Sequence, residues 1–555
     1  MRLAVTYSLA AQLALMIAAG VPVAHASEDD ASVPRSTADL DIVNEPSMDG
    51  VTIGGVEMDI QNVFDPRIKS EDKWFYHLAN RLHFLTRPEV IESQLLFESG
   101  EPYSKQKIEE TERLLRKQRY LGEAEISVGE PIDGVVDVVV STKDVWTTKP
   151  ELSFGRKGGV NTGSFGFEDH NLFGFGSHLG IEARRTVDRD ILSLGFGDNN
   201  FRGSRYAVSA LFSDKSDGTG AGLSVQKPFF SLDSRRSHGL NVAVDDRIET
   251  IYELGLPSGN FSVSSRDLSA HMGWSQGLVN GWARRFSVGF AADEDLFSPV
   301  IDDSLPNSVT PEDRRFIYPF LGFELVEDAF ETTRNLDQID RIEDRLLGTR
   351  LYGQIGYSPG NEVTEDGAAL FSARIYKGWR LGSSSTLLTE ALLDGRYESG
   401  GVANTLLSGT ATLHLRQSDK RVMYARVEVT DGTNMDLDSP VILGGTTGLR
   451  GYPLRYQTGT GRALLTIEQR FFTDWYPFRL FRVGAAAFVD MGQSWGSYPS
   501  SGPSAGLLRN VGVGLRLANT RSSVGRILHI DIAAPLDGGN DISSIQFLVE
   551  AKRSF

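Results

Sequence analysis

The feature that most constrains this chain is an alternation of apolar and polar residues that recurs from about residue 150 to residue 555. In one such segment three apolar residues alternate with two polar ones: Leu528, His529, Ile530, Asp531 and Ile532. Successive side chains of a β-strand point to opposite faces, so each segment has one apolar and one polar face. Clusters of Gly, Asp, Asn and Ser separate the segments, and no sustained helical spacing lies among them. The pattern predicts a large, mainly β, antiparallel structure.

A soluble β-sandwich and a transmembrane β-barrel both give such alternation. Four observations favour the barrel: an apparent export segment, the absence of cysteine, the long unbroken run of strands and turns, and a chain that ends within a strand pattern. In a membrane barrel, lipid-facing and lumen-facing side chains alternate, and every backbone group pairs within a closed sheet. At about 25 residues for each strand with its connection, about 400 residues predict about 16 strands.

The last segment carries a further sign of a barrel strand. Phe547 and Val549 share one face, and Gln546 and Glu550 share the other. We expect the terminal Phe555 to lie within this strand, because aromatic residues form girdles at the membrane interface. We interpret Phe547 and Phe555 as the C-terminal strand signal.

The N-terminus predicts export. Arg2 precedes an apolar stretch over residues 9–23, and Ala24-His25-Ala26 matches the small-x-small pattern of a cleavage site. The apolar stretch is broken by polar residues and proline and is shorter than the roughly 20 residues that a spanning helix needs. We predict that residues 1–26 are a cleaved signal peptide, with a membrane-anchoring helix as the alternative.

Two further regions precede the barrel, which we assign to residues 149–555. Residues 27–65 are acidic and turn-rich without sustained periodicity, which is typical of a flexible segment. Residues 66–148 have the pattern of a small α/β domain. In this domain we expect a packing helix from the spacing of Trp74, Leu78, Leu82 and Leu85, and a strand over residues 90–97. A helix capped by Ser104 and two strands over residues 123–128 and 135–140 should follow.

Several function classes are disfavoured by composition. A formal net charge of -17 argues against binding of nucleic acid. The chain has no cysteine, so disulfides, thiolate metal sites and a cysteine nucleophile are excluded. The sequence contains no His-Glu-x-x-His, Gly-x-Ser-x-Gly or phosphate-binding glycine loop. We therefore expect no enzymatic activity, no cofactor and no metal site.

Three motifs in the last third of the chain resemble one family. Residues 444–452 read Gly-Gly-Thr-Thr-Gly-Leu-Arg-Gly-Tyr, residues 488–492 read Phe-Val-Asp-Met-Gly, and residues 510–516 read Asn-Val-Gly-Val-Gly-Leu-Arg. Their order and spacing resemble the loop signature and following strands of the bacterial surface antigen superfamily, which includes BamA and TamA assembly barrels and two-partner secretion translocators. The α/β domain resembles a polypeptide-transport-associated (POTRA) domain of that family.

The resemblance implies a specific site. In the family, the arginine of the signature lies on a long extracellular loop that folds into the lumen and meets an acidic residue of the wall. Here the signature is Leu449, Arg450, Gly451 and Tyr452, and the matching acid is Asp490. An arginine fork can meet two carboxylate oxygens at once. The alternative is an ordinary hairpin turn with a solvated arginine.

The alternation of apolar and polar residues also predicts which wall residues of this site face the lumen. This prediction does not depend on the family resemblance. Asp490 shares a strand face with Phe488 and Gly492, and Glu468 lies on the face opposite Ile467. We expect this face to point into the lumen because the opposite face is apolar. With the strand motif at residues 488–492, which the resemblance implies to be the wall side of the site, the candidate wall partners of Arg450 are Asp490, Glu468, Phe488 and Gly492.

The resemblance implies an outer-membrane barrel, with its N-terminal domain in the periplasm, that inserts or translocates client polypeptides. Its expected partners are client polypeptides and outer-membrane lipids, with periplasmic chaperones or accessory lipoproteins as further candidates. The small domain could add a client strand to its sheet edge or form a structural collar. A passive channel or structural protein is the alternative function, and a surface adhesin or receptor is a third.

Overall fold

The computed structural model describes residue 48 and residues 50–157, 159–301, 305, 310–445, 447–496, 506–522, 527–539, 542–552 and 554–555. The predicted signal peptide lies outside the described residues, as does most of the predicted flexible segment. No helix within these described ranges is long and apolar enough to cross a membrane.

A small α/β domain comes first. Its elements are β1 (Thr52–Gln61), α1 (Trp74–Leu82), α2 (Pro88–Glu92), α3 (Lys105–Arg116), β2 (Leu121–Val128) and β3 (Val135–Asp144). The sheet order is β1-β3-β2, with β1 parallel and β2 antiparallel to β3. The helix α3 begins after Ser104, whose side chain accepts a hydrogen bond from the backbone of Lys107. Ile91, Leu115 and Val138 are fully buried in the core between the helices and the sheet.

The structure differs from the sequence prediction at three places in this domain. The strand β1 lies inside the segment 27–65 that we expected to be flexible, because its stabilising partner β3 is remote in sequence. The predicted strand over residues 90–97 begins instead as the helix α2, with Pro88 in its first turn, where proline is favoured. The predicted helix is present as α1, but it ends at Leu82, before Leu85, and the side chains of Trp74, Leu78 and Leu82 are exposed rather than packed.

The rest of the chain forms a closed antiparallel barrel of 20 strands. The first ten are β4 (Lys149–Lys157), β5 (Val160–Asp169), β6 (His178–Arg185), β7 (Asp190–Asp198), β8 (Ala207–Lys215), β9 (Gly218–Lys227), β10 (Arg236–Glu253), β11 (Leu256–Val279), β12 (Trp282–Pro299) and β13 (Arg314–Glu327). The other ten are β16 (Thr349–Ser358), β17 (Ala368–Gly382), β18 (Ser385–Glu398), β19 (Gly401–Ser418), β20 (Arg421–Thr433), β23 (Gly461–Phe472), β24 (Phe481–Trp495), β25 (Leu508–Asn519), β26 (Ile527–Pro535) and β27 (Gln546–Lys552).

The predicted count of about 16 strands is wrong. It assumed a uniform length for each strand and its connection, whereas residues 149–227 alone hold six short strands. Two further hairpins, between β13 and β16 and between β20 and β23, stand apart from the wall. They are β14 (Phe330–Arg334) with β15 (Ile342–Leu346), and β21 (Val441–Leu443) with β22 (Gln457–Gly459).

The alternation seen in the sequence corresponds to the two faces of the wall. On β25, Val511 and Val513 are exposed on the outside, whereas Asn510 and Arg516 are fully buried towards the lumen. The outside of the barrel is therefore apolar and the inside is polar.

The barrel closes where its first and last strands meet. In the described residues the seam between β27 and β4 has one registered pair, Val549 with Arg156. In contrast, β26 and β27 pair continuously from Ile527 with Lys552 to Ala533 with Gln546. Among the described residues, the seam is thus the junction of the wall with the fewest registered pairs.

One end of the barrel, here called the near end, contacts the small domain. There Asn171 Nδ2 donates to Thr86 Oγ1 over 2.8 Å, and the Leu232 backbone N–H donates to Glu110 Oε1 over 2.7 Å. The opposite, far end carries the connection over residues 434–460, which contains the motif loop.

The terminal Phe555 does not lie in an outer aromatic girdle, as the sequence led us to expect. Its strand ends at Lys552, and Phe555 is buried inside the near end of the barrel with Leu336 and Ile339. Its backbone N–H donates to the Asp337 carbonyl over 2.6 Å. The chain turns inward because the hairpin β14–β15 offers both apolar contact and a backbone partner there. Phe547, the other residue of that signal, is exposed on the outside.

Candidate functional site

The motif loop folds back into the barrel from the far end. Leu449 and Tyr452 are fully buried and pack with Leu443, Leu464 and Leu508. The Tyr452 hydroxyl donates to the Arg509 carbonyl over 2.8 Å, and the Arg509 backbone N–H donates back to that hydroxyl over 3.1 Å. These contacts fix the loop on the inner faces of β23 and β25.

Arg450 lies at the centre of the site and contacts two acidic residues. Its Nε donates to Asp490 Oδ2 over 2.8 Å, and one terminal nitrogen donates to Asp490 Oδ1 over 2.7 Å. The other terminal nitrogen donates to Glu468 Oε1 over 2.6 Å. The guanidinium also lies over the Phe488 ring, 3.4 Å from its centroid. The structure thus brings Arg450 together with Asp490, Glu468 and Phe488.

The contribution of this cluster to the stability of the barrel depends on how deeply it is buried. Exposed ion pairs contribute about 0 to 1 kcal/mol, whereas removing one partner of a buried pair costs about 3 to 5 kcal/mol. The side chains of Arg450, Asp490 and Glu468 are 6%, 0% and 6% exposed. The cluster therefore belongs to the buried class, and an arginine side chain alone or a carboxylate alone would be strongly unfavourable there.

Neighbouring polar groups complete the environment of Asp490. Asn510 Nδ2 donates to Asp490 Oδ2 over 2.8 Å, and Thr466 Oγ1 donates to Asp490 Oδ1 over 3.1 Å. The amide oxygen of Asn510 also accepts from the Gly451 backbone N–H over 3.1 Å. Asn510 therefore connects the loop backbone to the same carboxylate that holds Arg450.

Glycine is required where the loop meets the wall. A Cβ on Gly448, whose φ is +118°, would lie 2.4 Å from a Leu464 methyl carbon, and a Cβ on Gly451 would lie 2.6 Å from the Asn510 Cβ. On the wall, a Cβ on Gly492 would lie 3.0 Å from the Ala463 carbonyl oxygen. A side chain at either loop position would hold the loop away from the wall.

A second ionic cluster joins the motif loop to the near end. Glu468 Oε2 accepts from Arg470 Nε over 3.1 Å. Arg470 in turn donates to Asp337 Oδ1 over 3.1 Å and to the Leu336 carbonyl over 2.6 Å. A continuous ionic chain therefore runs from Arg450 through Glu468 and Arg470 to the hairpin β14–β15.

The hairpin β14–β15 occupies the near end of the lumen, and the sequence analysis did not predict it. His414 Nε2 lies 3.3 Å from Asp337 Oδ1, and Arg345 donates to Asp337 Oδ2 over 2.6 Å. On the domain side, Arg116 of α3 donates to both oxygens of Asp344, over 2.8 and 2.6 Å. The only sequence signal was the density of charged residues over residues 334–345, which is not specific.

The described residues contain one group with the composition of a metal site, at the near end of β5 and β6. Glu168 Oε2 lies 3.3 Å from His170 Nε2 and 3.8 Å from His178 Nε2. The two imidazole rings are stacked, with centroids 4.4 Å apart and planes inclined by 19°. A metal ion binds imidazole nitrogen near the ring plane, and one ion cannot lie in the planes of two stacked rings. In this arrangement the carboxylate is the shared partner of both rings.

No protein-family model matches the sequence, and no curated protein sequence matches it. Solved structures similar to the chain include BamA from Haemophilus ducreyi lacking POTRA domains 1-3, with 13% identity and a TM-score of 0.38, covering 91% of this chain and 85% of that one. CdiB from Acinetobacter baumannii has 12% identity and a TM-score of 0.44 over 91% of this chain and 74% of its own. CdiB from Escherichia coli has 10% identity and a TM-score of 0.47 over 91% and 77%. Similarity at this level assigns no function.

Proposed function

We propose that the protein is an outer-membrane barrel that inserts or translocates client polypeptides and is a member of the bacterial surface antigen superfamily. The observation that carries this proposal is the docking of Arg450 on Asp490 and Glu468 inside the lumen. The loop that carries Arg450 has the family's signature, and Asp490 lies in the matching strand motif. Both signature and geometry therefore support the same assignment.

The outer membrane is the proposed location. The apolar outside of the barrel, including Val511, Val513 and Ile532, suits lipid contact. The near end, with the small POTRA-like domain, would face the periplasm, and the far end with its long loop would face the exterior.

The proposed mechanism uses the weak seam. If β4 and β27 separate, each presents unpaired backbone N–H and C=O groups that an extended client strand can satisfy. Recognition of this kind reads the backbone, so clients of different sequence can bind. The single registered pair, Val549 with Arg156, supports this seam as the opening site.

The main alternative, a passive channel, requires an open lumen. The motif loop occupies the lumen from the far end, and the hairpin β14–β15 occupies it from the near end. A client or solute that passed through the lumen would have to displace both. These two obstructions favour a polypeptide-handling barrel over a steady solute pore.

The proposal is tested in the native bacterium. The gene is deleted and complemented with wild type, with Arg450→Ala, or with the control Arg185→Ala, which removes an exposed pair with Asp190. The outer-membrane and secreted proteomes are then quantified. We expect particular barrels or secreted proteins to be lost on deletion and restored by wild type and Arg185→Ala, but not by Arg450→Ala at equal abundance. Unchanged proteomes with altered small-solute permeability would instead favour the passive channel.

A further inference from the structure

The helix α1 has three distinct faces. At about 100° per residue, Trp74, Phe75, Leu78 and Leu82 fall within about 100° of its circumference, and these side chains are 75%, 43%, 46% and 62% exposed. Tyr76 lies on another face and is buried against Val63 and Phe64 of the small domain.

The polar, exposed residues His77 and Arg81 border this apolar stripe, at about 60° and 20° from Trp74 around the helix. The helix thus has one side packed on the protein, one polar side exposed to water and one apolar side that the described residues leave exposed. A helix on the surface of a soluble domain normally buries its apolar stripe. In α1 the apolar stripe is the part that the protein leaves uncovered.

The barrel holds α1 at the near end. The Tyr76 hydroxyl donates to the Phe478 carbonyl in the turn between β23 and β24, over 2.9 Å. Just after α1, the Phe84 ring meets the Phe173 ring in the turn between β5 and β6, with centroids 5.4 Å apart. These two turns lie on opposite sides of the seam in the strand order of the barrel. The helix is therefore held at the turn between β23 and β24, and its C-terminal extension reaches the turn between β5 and β6 on the other side of the seam.

The turns that hold α1 also expose apolar side chains. Trp475 and Phe478 are 64% and 79% exposed, and Phe173 and Phe175 are 54% and 50% exposed. On the outside of β5, Phe167 is also exposed. Apolar side chains are therefore exposed on α1, on both turns that hold it and on the neighbouring outer wall.

Cationic residues accompany this aromatic surface. The Lys73 ammonium lies 5.9 Å from the Phe75 ring centroid, and the Arg87 guanidinium lies 3.8 Å from that of Phe175. Aromatic rings concentrate at the membrane–water interface, and lysine and arginine on the polar side of an amphipathic helix are attracted to anionic headgroups. This combination fits a phospholipid surface better than a soluble protein partner.

We propose that α1 is an interfacial membrane helix. Trp74, Phe75, Leu78 and Leu82 lie among the acyl chains of the near-end leaflet, and His77 and Arg81 remain in the aqueous phase. The contact anchors the small domain near turns on both sides of the seam, where a client strand would enter. This inference rests on the membrane location in the proposed function and adds a lipid-binding surface on the domain itself.

Because the chain has no cysteine, single-cysteine variants give one labelled site each. Nitroxide labels are placed at Leu78→Cys and Leu82→Cys on the apolar face, at His77→Cys and Arg81→Cys on the polar face, and at Val513→Cys on the outside of the barrel. The full-length protein is reconstituted in phosphatidylethanolamine–phosphatidylglycerol vesicles. Collision of each label with oxygen, which partitions into lipid, and with a water-soluble nickel chelate is measured by electron paramagnetic resonance.

We expect positions 78 and 82 to resemble position 513, with high oxygen and low chelate accessibility, and positions 77 and 81 to show the reverse. If positions 78 and 82 are as accessible to the chelate as 77 and 81, while 513 remains in lipid, the interfacial helix is refuted and the membrane barrel is not. If 78 and 82 are shielded from both reagents, protein covers the face and the inference is also refuted. Chelate access at position 513 in the folded barrel would refute the membrane location itself.

Discussion

Arg450 and Asp490 lie 40 residues apart in sequence and form a two-bond ion pair inside the barrel, with N–O distances of 2.8 and 2.7 Å. The pair joins a far-end loop to the wall strand β24. Because Glu468 contacts both Arg450 and Arg470, the same cluster connects the loop to the near-end hairpin.

The Arg450–Asp490 pair should show strong energetic coupling. We expect Arg450→Ala to destabilise the folded barrel by about 3 to 5 kcal/mol, because it leaves the buried Asp490 carboxylate without its cation. Asp490→Ala should cost less, because Arg450 keeps its hydrogen bond to Glu468. The double variant should lose much less than the sum. Urea unfolding in detergent micelles measures the four free energies. The control Asp537→Ala, which removes an exposed pair with Arg509, should change the free energy of unfolding little. If the effects of Arg450→Ala and Asp490→Ala simply add in the double variant, the two residues are not energetically coupled and the prediction is wrong.

Loss of the Glu468 charge should loosen both lumen obstructions together. In Glu468→Gln, Arg450 and Arg470 each lose a charged partner, so the motif loop and the hairpin β14–β15 should both be displaced more often. Planar-bilayer recordings should show more frequent and larger opening events than wild type. Glu390→Gln, on an exposed pair with Arg374, serves as the control. Conductance equal to wild type in Glu468→Gln would show that the ionic chain through Glu468 does not hold the motif loop and the hairpin β14–β15 in place.

Locking the seam should block activity. In Arg156→Cys/Val549→Cys the two cysteines lie at the registered pair of β4 and β27 and form the only disulfide of the chain. We expect client insertion or export to fall under oxidising conditions and to recover after reduction. The matched control Ile530→Cys/Val549→Cys locks β26 to β27, which pair continuously, and should remain active. Full activity of the locked seam would refute lateral opening.

The small domain should stabilise the near-end hairpin. Arg116→Ala removes both hydrogen bonds to Asp344, so backbone amides of residues 330–346 should exchange hydrogen faster. Exchange measured by mass spectrometry gives the effect peptide by peptide. Lys107→Ala on the same helix removes an exposed pair with Glu101 and should leave the hairpin unchanged. Equal protection of the hairpin in Arg116→Ala and wild type would show that the domain does not hold it.

Acid should loosen the motif loop at the far end. Asp188, in the turn between β6 and β7, accepts two hydrogen bonds of 2.7 Å from Arg455 in the loop. Burial raises the pKa of Asp188, but the hydrogen bonds and charge of Arg455 outweigh burial, so its pKa lies below the ordinary value. A lowered pKa means that the stabilisation is present above the unfolded-state pKa, about 3.9, and is lost as the pH falls through the folded value. The protection factors of the backbone amides of residues 447–460, which correct for the slower chemical exchange in acid, should therefore be lower at low pH than at neutral pH in wild type, and Asp188→Asn should reduce this difference.

The local pattern of apolar and polar residues was sufficient to predict much of the barrel. Alternation identified which residues of a strand share a face, and it placed Asp490 and Glu468 on a face opposite apolar residues. The strand count was not accessible in this way, because it depends on the length of each strand and turn. The hairpin β14–β15 was missed for a related reason, since its strands pair only with each other and are not part of the barrel sheet.

The sequence by itself determined the alternating faces of the strands, the helical spacing of α1 and the motif that marks Arg450, because each depends on residues close together in the chain. The tertiary structure alone decided that β1 pairs with β3, that Phe555 turns inward to the hairpin, and that the apolar face of α1 remains uncovered. Each of these outcomes depends on surfaces contributed by distant segments. Their positions are set by closure of the barrel and docking of the domain, which no local pattern encodes.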